Sequence, residues 1–328
     1  MPVLSLKVAG IRDETALIRR IVLTRSDGGA LPGFEAGAHI TLHAPGIGRR
    51  KYSLVNADPT PGVTSAPSRY VLGIRRDDAG QGGSKWAHGL KVGDIIEAEP
   101  PQNDFELAAG EGPVLLIAGG IGVTPLIAKA AHMKALGRPF RFIYAAKSMA
   151  EMAFLPEIQA LAGDALTLHA DDMAGTFLDI RALIDTLTHD EPVYICGPKP
   201  MIKAAMQEAR ALGWPAGRLR FELFFNAAAE APPAPPAPDE GAFEVEIKST
   251  GAVFKVPRDR TILAVLKEAG LDPLHDCDKG ECGVCQVGVL SGVPDHRDSL
   301  LSEAERAAGK TMQICVSRAK SSRLVLDL

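Results

Sequence analysis

The stretch Cys277-Asp278-Lys279-Gly280-Glu281-Cys282-Gly283-Val284-Cys285 decides the fold of its part of the chain, and Cys315 follows it after a gap of 29 residues. Four thiolates spaced C-x4-C-x2-C…C are typical of a plant-type 2Fe-2S cluster, which takes three ligands from one loop. Gly280 and Gly283 agree with this, because a loop around a cluster must bring backbone N–H groups close to sulfur. The spacing therefore predicts a cluster that moves single electrons and is held by Cys277, Cys282, Cys285 and Cys315.

Four cysteines could instead serve as a zinc site, as buried free thiols or as disulfides. Zinc sites usually pair their ligands in two short Cys-x-x-Cys knuckles, whereas this chain places three cysteines in one loop. Disulfides are disfavoured because the chain opens MPVLSLKVAG, without the charged and apolar regions of an export signal. The pattern favours iron–sulfur over zinc and indicates a cytoplasmic protein.

The composition is that of an ordinary soluble protein with room for two or three domains. The chain has 328 residues, of which 46% are hydrophobic and 23% charged. A net charge of −4 gives no electrostatic footprint for nucleic acid or for an anionic membrane. The most apolar run, residues 113–131, is interrupted by three glycines and Pro125, so it predicts a buried strand leading into a helix.

The first hundred residues contain six short strand-like runs separated by Gly, Pro and Asp turns, which predict a small antiparallel barrel. The runs are Ser5–Val8, Ala16–Thr24, His39–His43, Lys51–Leu54, Ser68–Arg75 and Ile95–Ala98. Two pieces stand out, Arg50-Lys51-Tyr52-Ser53-Leu54 and the turn at residues 80–86, GQGGSKW. Together they suggest a phosphate held by free N–H groups and an arginine, beside an aromatic stacking face. Taken alone, the first piece is by default a solvent-facing strand and the second is by default only a turn.

After Glu111, strands alternate with helices, which predicts a doubly wound parallel sheet. Its strands are expected at Val114–Ala118, Phe140–Ala145, Leu166–His169 and Val193–Cys196, and its helices at Leu126–Leu136, Pro156–Ala162, Ile180–Leu187 and Met201–Leu212. The turn at residues 119–125, GGIGVTP, follows the first strand and is similar to a dinucleotide site. It is not the usual Rossmann fingerprint, and no acidic residue clearly follows at the distance that would hold a ribose.

Residues 227–239 hold five prolines in thirteen positions, which predicts an extended linker. Beyond it, a hairpin at Phe243–Ile247 and Ala252–Val256, a helix at Thr261–Ala269 and strands at Gln286–Leu290 and Arg323–Asp327 predict a small α+β domain around the cysteine loop. The expected organisation is a β-barrel at 1–109, an α/β domain at 110–226, a linker at 227–241 and the cysteine-bearing domain at 242–328.

Together, these motifs resemble the phthalate dioxygenase reductase family over essentially the whole chain. The segments 294–298, 315–319 and 324–328 especially resemble the reductase subunits of vanillate-type O-demethylases. The resemblance implies an FMN-binding antiparallel β-barrel, a doubly wound α/β nicotinamide domain, and a β-grasp plant-type ferredoxin domain, in that order.

The resemblance also implies roles for individual residues. In the barrel, Arg50 would bind the FMN phosphate, Tyr52 would lie against the isoalloxazine ring, and Ser53, followed by Leu54, would lie near the reactive nitrogen. The phosphate turn would comprise Gly82, Gly83 and Ser84, with Arg76 as a second cationic contact. The nicotinamide-dinucleotide loop would comprise Gly119, Gly120, Gly122, Thr124 and Pro125, and the segment beside the nicotinamide ring would be Cys196, Gly197 and Pro198.

Members of the family carry an aromatic residue that covers the flavin near the end of the second domain. Phe224 and Phe225 are the two candidates, and Phe224 is favoured slightly. For both, the alternative is a core phenylalanine, because phenylalanine is often buried. Cys196 has the alternative interpretation of a small buried hydrophobic residue.

The function implied is an NADH-dependent reductase that passes hydride to FMN and then single electrons through the 2Fe-2S cluster. None of the five cysteines has a histidine at either of the next two positions, so a Rieske centre must lie in another chain. The expected partner is the terminal Rieske-type oxygenase of an aromatic-acid dioxygenase or O-demethylase system, bound transiently by a monomer. Two alternatives are a reductase for another acceptor, such as a quaternary-amine oxygenase, and a non-catalytic metal-binding or redox-sensing module. Lys147 after the second strand leaves NADPH open as the donor.

Overall fold

The computed structural model describes residues 3–188, 190–215, 217–224, 241–271, 273–275, 278–280 and 283–328. The chain divides into two compact units, Met1–Asn226 and Ala227–Leu328. Among the helices of the described residues, none is both long enough and apolar enough to cross a membrane.

The first unit opens with an antiparallel sheet that curls into a barrel. Its strands are β1 (Leu4–Asp13), β2 (Ile18–Arg25), β3 (His39–Ala44), β4 (Gly48–Ser53), β5 (Tyr70–Arg75) and β6 (Ile95–Gln102), in the order β4-β3-β6-β1-β2-β5. Leu54 forms a bridge to Leu72, so the chain leaving the edge strand β4 meets the opposite edge strand β5. Along β1, buried Leu4, Leu6 and Val8 alternate with exposed residues, as expected for a strand with one face on the core. All six predicted strands are confirmed.

A short helix, α1 (Gly83–Gly89), lies between β5 and β6, and a parallel sheet follows the barrel. Its strands are β7 (Val114–Gly119), β8 (Phe140–Ala146), β9 (Leu166–Ala170), β10 (Val193–Cys196) and β11 (Leu219–Glu222), in the order β11-β10-β7-β8-β9. Its helices are α2 (Val123–Leu136), α3 (Leu155–Ala162), α4 (Asp171–Ala174), α5 (Ile180–Ile184) and α6 (Lys199–Ala211). The central strand β7 is buried along its whole length, which explains its unbroken apolar sequence.

The order of the parallel sheet fixes where a ligand can bind. The chain moves outward from β7 to β8 and β9, and then returns to place β10 on the other side of β7. Ligands of such sheets bind beyond the carboxyl ends of the strands where this reversal occurs. The glycine-rich turn after β7 and the segment after β10 therefore meet at the expected position. The predicted doubly wound sheet is confirmed, and the edge strand β11 is an addition that the prediction lacked.

The described residues of the second unit form a mixed five-stranded sheet, a two-stranded sheet and two short helices. Its strands are β12 (Phe243–Ile247), β13 (Val253–Val256), β14 (Gln286–Ser291), β15 (Pro294–Asp295), β16 (Thr311–Gln313), β17 (Arg318–Ala319) and β18 (Arg323–Asp327). The main sheet has the order β13-β12-β18-β14-β16, with β12 and β18 parallel. Helix α7 (Ile262–Glu268) buries Ile262, Leu263 and Leu266, and α8 (Glu303–Ala308) begins at a capping box between Ser302 and Glu305. The small α+β domain is confirmed, whereas α8 and the short strands β15, β16 and β17 lie outside the prediction.

Candidate functional site

The glycine turn before α1 lies against the side chain of Arg50 on β4. Gly82 has a φ of 85°, a left-handed conformation that glycine adopts without strain. A Cβ atom at Gly83 would lie 2.7 Å from Nε of Arg50 and 2.8 Å from two carbons of its stem. The guanidinium also donates to the carbonyl oxygen of Gln81 at 3.4 Å. An arginine seated on a side-chain-free turn is suited to a phosphate group, so these residues fit a flavin nucleotide.

The next residues of β4 become progressively more buried. Tyr52 is half-buried against the barrel core, and burial raises the pKa of its phenol to about 12, so it stays neutral. Ser53 is buried at the end of the strand. Leu54 is fully buried and bridges Leu72, so its side chain belongs to the barrel core. A contact of Leu54 with a cofactor would therefore come from its backbone.

Two further residues proposed for the phosphate turn are engaged with the loop itself. The hydroxyl of Ser84 accepts from the amide of Asp77 at 3.0 Å and donates to the carbonyl oxygen of Asp77 at 3.2 Å. Arg76 forms an exposed ion pair with Asp78 at 2.9 Å. The structure thus brings Arg50, Gly82 and Gly83 together, while Ser84 closes the loop that carries them and Arg76 pairs within it.

The dinucleotide loop after β7 and the segment after β10 pack backbone against backbone. A Cβ atom at Gly122 would lie 2.2 Å from the carbonyl oxygen of Cys196, and one at Gly119 would lie 2.5 Å from Cδ of Pro198. Gly197 faces Gly119 in the same way, with 3.0 Å between its would-be Cβ and the Cα of Gly119. The glycines are therefore required by the closeness of two neighbouring strand ends.

The start of α2 completes this loop. Gly120 has a φ of 53°, and the hydroxyl of Thr124 donates to the carbonyl oxygen of Ile121 at 2.9 Å, which stabilises the turn. Pro125 lies in the first turn of the helix, where its missing N–H leaves no helical bond unmade. The helix N-terminus faces the carboxyl edge of the sheet, a geometry suited to the phosphates of a dinucleotide.

A carboxylate outside the sequence motifs, that of Glu222, lies beside the predicted residues. Glu222 ends β11 and lies in register with Cys196 on β10, and Ser53 donates to its Oε2 at 3.4 Å. Cys196 is fully buried; burial raises the pKa of its thiol well above the ordinary value, and the charge of Glu222 raises it further. Ser53, Glu222 and Cys196 thus form one group where the barrel meets the parallel sheet. In the sequence, Glu222 could have been recognised as a site residue because it is charged and stands two positions before Phe224.

The two aromatic candidates differ in what the structure says of them. Phe224 follows β11 and is 44% exposed, so it is not a core phenylalanine. Phe225 lies outside the described residues.

In the second unit, two of the four predicted cluster ligands are described, and Cys277 and Cys282 lie outside the described residues. Cys285 and Cys315 are buried, with their sulfur atoms 3.1 Å apart, farther than the about 2.05 Å of a disulfide bond. Gly280 and Gly283 have φ values of 73° and 77°. A Cβ atom at Gly280 would lie 2.4 Å from Val316, next to the fourth predicted ligand. Two buried thiols and a glycine-shaped loop fit a cluster held by thiolates.

Asp298 orders the segment that lies over this loop. Its buried carboxylate accepts from the amides of Leu300 and Leu301 at 3.1 and 2.8 Å and from the hydroxyl of Ser317 at 3.4 Å. The amide of Ser299 in turn donates to the carbonyl oxygen of Gly280 at 3.2 Å. Asp298 therefore orders the turn whose Ser299 amide binds Gly280.

Comparison with known proteins gives one family match and full-length relatives. The family model described as a 2Fe-2S iron-sulfur cluster binding domain matches residues 245–320. A vanillate O-demethylase oxidoreductase of Pseudomonas sp. (strain HR199 / DSM 7063) is 40% identical over 307 residues, which are 93% of this chain and 93% of that protein.

Solved structures also cover nearly all of the chain, and two of them are compared with it in detail. The structure of phthalate dioxygenase reductase, "a modular structure for electron transfer from pyridine nucleotides to [2Fe-2S]", is 33% identical, with a TM-score of 0.63, and covers 99% of this chain and 98% of that chain. The structure of an intact type IV self-sufficient cytochrome P450 monooxygenase is 32% identical, with a TM-score of 0.64. The match covers 99% of this chain and 41% of the longer monooxygenase chain.

Proposed function

Because this chain belongs to the phthalate dioxygenase reductase family, we propose that it is the NADH-dependent reductase component of a two-component oxygenase system. The chain is an oxidoreductase of the flavin and 2Fe-2S type. The observation that carries the proposal is the meeting of Ser53, Glu222 and Cys196 between a phosphate-binding barrel turn and a dinucleotide loop. The buried cysteines Cys285 and Cys315 would hold the cluster through which single electrons leave the chain.

The proposed cofactors are FMN on the barrel, NADH at the edge of the parallel sheet and a 2Fe-2S cluster in the second unit. A flavin accepts a hydride as two electrons and releases them singly, which joins nicotinamide to iron–sulfur chemistry. The proposed domains are residues 1–109 for FMN, 110–226 for NADH, 227–241 as linker and 242–328 for the cluster. Cys277 and Cys282 are proposed as the two remaining cluster ligands.

Each residue of the site has a task that its surroundings support. Arg50 and the turn at Gly82 and Gly83 bind phosphate, and the neutral ring of Tyr52 offers an apolar face to the flavin. Ser53 holds its proton in a hydrogen bond to Glu222, which fixes the direction of the hydroxyl.

The nicotinamide side is shaped by packing rather than by acid–base groups. Cys196 stays a thiol, because burial and the neighbouring carboxylate disfavour its anion, so it acts as a small, uncharged wall. The glycines at 119, 122 and 197 keep that wall close to the dinucleotide loop. Phe224 is proposed as the aromatic cover on the strength of its exposure, with Phe225 as its alternative.

The proposed partner is a terminal Rieske-type oxygenase of aromatic acids, bound transiently by a monomeric chain in the cytoplasm. The match to a self-sufficient cytochrome P450 monooxygenase favours a second candidate, a haem monooxygenase as electron acceptor. The same residues would serve either acceptor, because donor and acceptor sites lie in different units of the chain.

Anaerobic titration of the purified chain with NADH tests the proposal, combined with extraction of the bound cofactors. We expect FMN and iron in the extract, loss of the flavin and cluster absorbance on adding NADH, and reoxidation by a purified Rieske-type oxygenase. Reoxidation by a haem monooxygenase alone would select the second candidate. A colourless zinc protein, or a cluster that NADH leaves oxidised, would contradict the function.

A further inference from the structure

Lys129 is a lysine that the proposed chemistry does not use, yet it is completely buried. It lies on α2, five residues after Thr124 of the dinucleotide loop. Its ammonium group donates to the carbonyl oxygen of Phe105 and to that of Ala36 at 3.3 Å. Both carbonyls belong to segments of the barrel domain, so the side chain links the helix of one half of the unit to the wall of the other.

The barrel is shaped to receive this ammonium group. Gly37 has a φ of 99°, and a Cβ atom there would lie 2.5 Å from Nζ of Lys129 and 2.2 Å from the oxygen of Phe105. The ring centres of Phe105 and Tyr194 lie 4.3 and 5.0 Å from Nζ, within the range of cation–π attraction. Only glycine at position 37 leaves this space.

The contacts of Lys129 lead to both predicted sides of the hydride-transfer site. Ala36 is two residues from Ala38, whose carbonyl oxygen accepts from the amide of Leu54, directly after Ser53. Tyr194 is two residues before Cys196 on β10. A shift of the ammonium group would therefore move the strand ends that carry Ser53 and Cys196.

The charge of this lysine is costly. Its hydrogen-bond partners are uncharged carbonyl oxygens, and burial lowers its pKa to about 7. Three charged groups act on it from the surrounding elements: Glu222 and Glu106 favour the charged form, and Arg220 opposes it. A methionine of similar length would fill the same space without that cost. What the ammonium adds is directed hydrogen bonding between the two halves.

We infer that Lys129 is a positioning residue for hydride transfer, which ties the dinucleotide-binding helix to the barrel wall beside Ser53. The inference rests on the proposed function for the reaction it serves, although the tie itself is a property of the chain. A misplacement of about 1 Å at a reacting centre can cost about 100-fold in rate, so a small loosening is enough to be measured.

The test compares the full-length, cofactor-loaded wild type with Lys129→Met and with Lys134→Met as the matched control. Lys134 lies on the same helix and also donates to a carbonyl oxygen, that of Ala160 at 2.5 Å, but that oxygen is in the same half of the unit. In anaerobic stopped-flow mixing with NADH, we expect the limiting rate of flavin reduction to fall about 10- to 100-fold in Lys129→Met. The NADH dissociation constant should stay within about twofold, and Lys134→Met should match wild type.

Hydrogen exchange gives a second measurement that needs no turnover. The peptide spanning residues 36–54 should exchange faster in Lys129→Met than in wild type and Lys134→Met. A limiting reduction rate within about twofold of wild type, or unchanged exchange in this peptide, would overturn the inference. A wild type that NADH fails to reduce would contradict the proposed function instead. The exchange comparison would still show whether Lys129 links helix α2 to the barrel wall.

If Lys129→Met does not fold, Lys129→Gln takes its place in the same two measurements, because glutamine removes the ammonium group and leaves a shorter, uncharged donor. A limiting reduction rate within about twofold of wild type, together with unchanged exchange of residues 36–54, would overturn the inference.

Discussion

The two glycine-rich turns of the first unit are held in opposite ways. At Gly122, the space of a side chain is taken by the backbone of Cys196, which belongs to a buried strand and cannot move alone. At Gly83, the space is taken by the side chain of Arg50, which can swing into solvent. The dinucleotide loop is therefore part of the fold, whereas the phosphate turn of the barrel is assembled from a side chain. Substitutions should damage folding at the first and ligand affinity at the second.

Gly122→Ala should give the largest effect, because its Cβ would overlap backbone atoms that are fixed on both sides. We expect a loss of about 3 kcal/mol in the free energy of unfolding and at least about 100-fold slower reduction by NADH. Tryptophan fluorescence during urea unfolding measures the first, since Trp86 and Trp214 both lie in the first unit. Gly137→Ala is the control: it has a φ of 66° in open space and should cost only about 1 kcal/mol.

Gly83→Ala should lower affinity rather than stability, because the added methyl displaces Arg50 from the turn. We expect FMN to bind about 30-fold more weakly, which is about 2 kcal/mol, in fluorescence titrations of the cofactor-free chain. Gly89→Ala at the other end of α1 meets open space and should bind FMN as wild type does. A large loss of stability in Gly83→Ala, with FMN affinity unchanged, would remove the contrast between the two turns.

The stability of the first unit should depend on pH through Lys129, which lies on the helix that follows the dinucleotide loop. Between pH 7 and the ordinary pKa of 10.5, the unfolded chain binds a proton that the folded chain has released. The free energy of unfolding should therefore rise with pH in this interval, by up to about 1.4 kcal/mol per unit, and this contribution should be flat below pH 7. Urea unfolding of wild type and Lys129→Met at several pH values measures the difference. Equal slopes would show that the lysine titrates normally.

Glu222→Gln should have a smaller effect, because glutamine keeps an acceptor for Ser53 and loses only the charge. We expect the limiting rate of flavin reduction to fall about fivefold, which is about 1 kcal/mol, with NADH affinity unchanged. The matched control is Glu208→Gln, which removes an exposed ion pair to Arg181 on the surface of the same unit. Equal rates in both variants would exclude Glu222 from the site.

Arg76→Ala should give the smallest effect of all. Its ion pair with Asp78 is exposed, and such pairs contribute at most about 0.5–1 kcal/mol. FMN affinity should stay within about twofold of wild type, whereas Arg50→Ala should lower it at least about tenfold. A loss in Arg76→Ala as large as that in Arg50→Ala would restore Arg76 as a second phosphate contact.

Sequence patterns were enough for elements whose burial is regular. The alternation in β1 and the unbroken apolar run of β7 each report one environment along a whole strand, so both were predictable. Strand β11, Leu219–Glu222, is half-buried at every position and only four residues long, so it carries no clear period. Helix α8 has no buried residue, and its only signal was the pair Ser302 and Glu305.

The residues of the candidate site also fall into two kinds, those in local motifs and those defined by tertiary contacts. Arg50, Gly82 and Gly122 belong to contiguous motifs that can be read from the sequence. The roles of Glu222 and Lys129 depend on distant contacts. Glu222 binds Ser53, 169 residues away, and Lys129 binds Phe105, 24 residues away. Such partnerships depend on tertiary packing, which a local pattern does not record.

In the second unit, the central strand of the main sheet is the last of its strands to be synthesised. This strand, β18, lies between β12 and β14, but it is synthesised after both, and Glu244 pairs with Arg323 across 79 residues of chain. A nascent chain that has not yet reached β18 leaves the neighbouring strands with open edges, while the cysteine loop has already emerged. Loop closure of this length is slow compared with local hairpins. The step that completes the main sheet of this unit therefore comes after the cysteine loop has been synthesised.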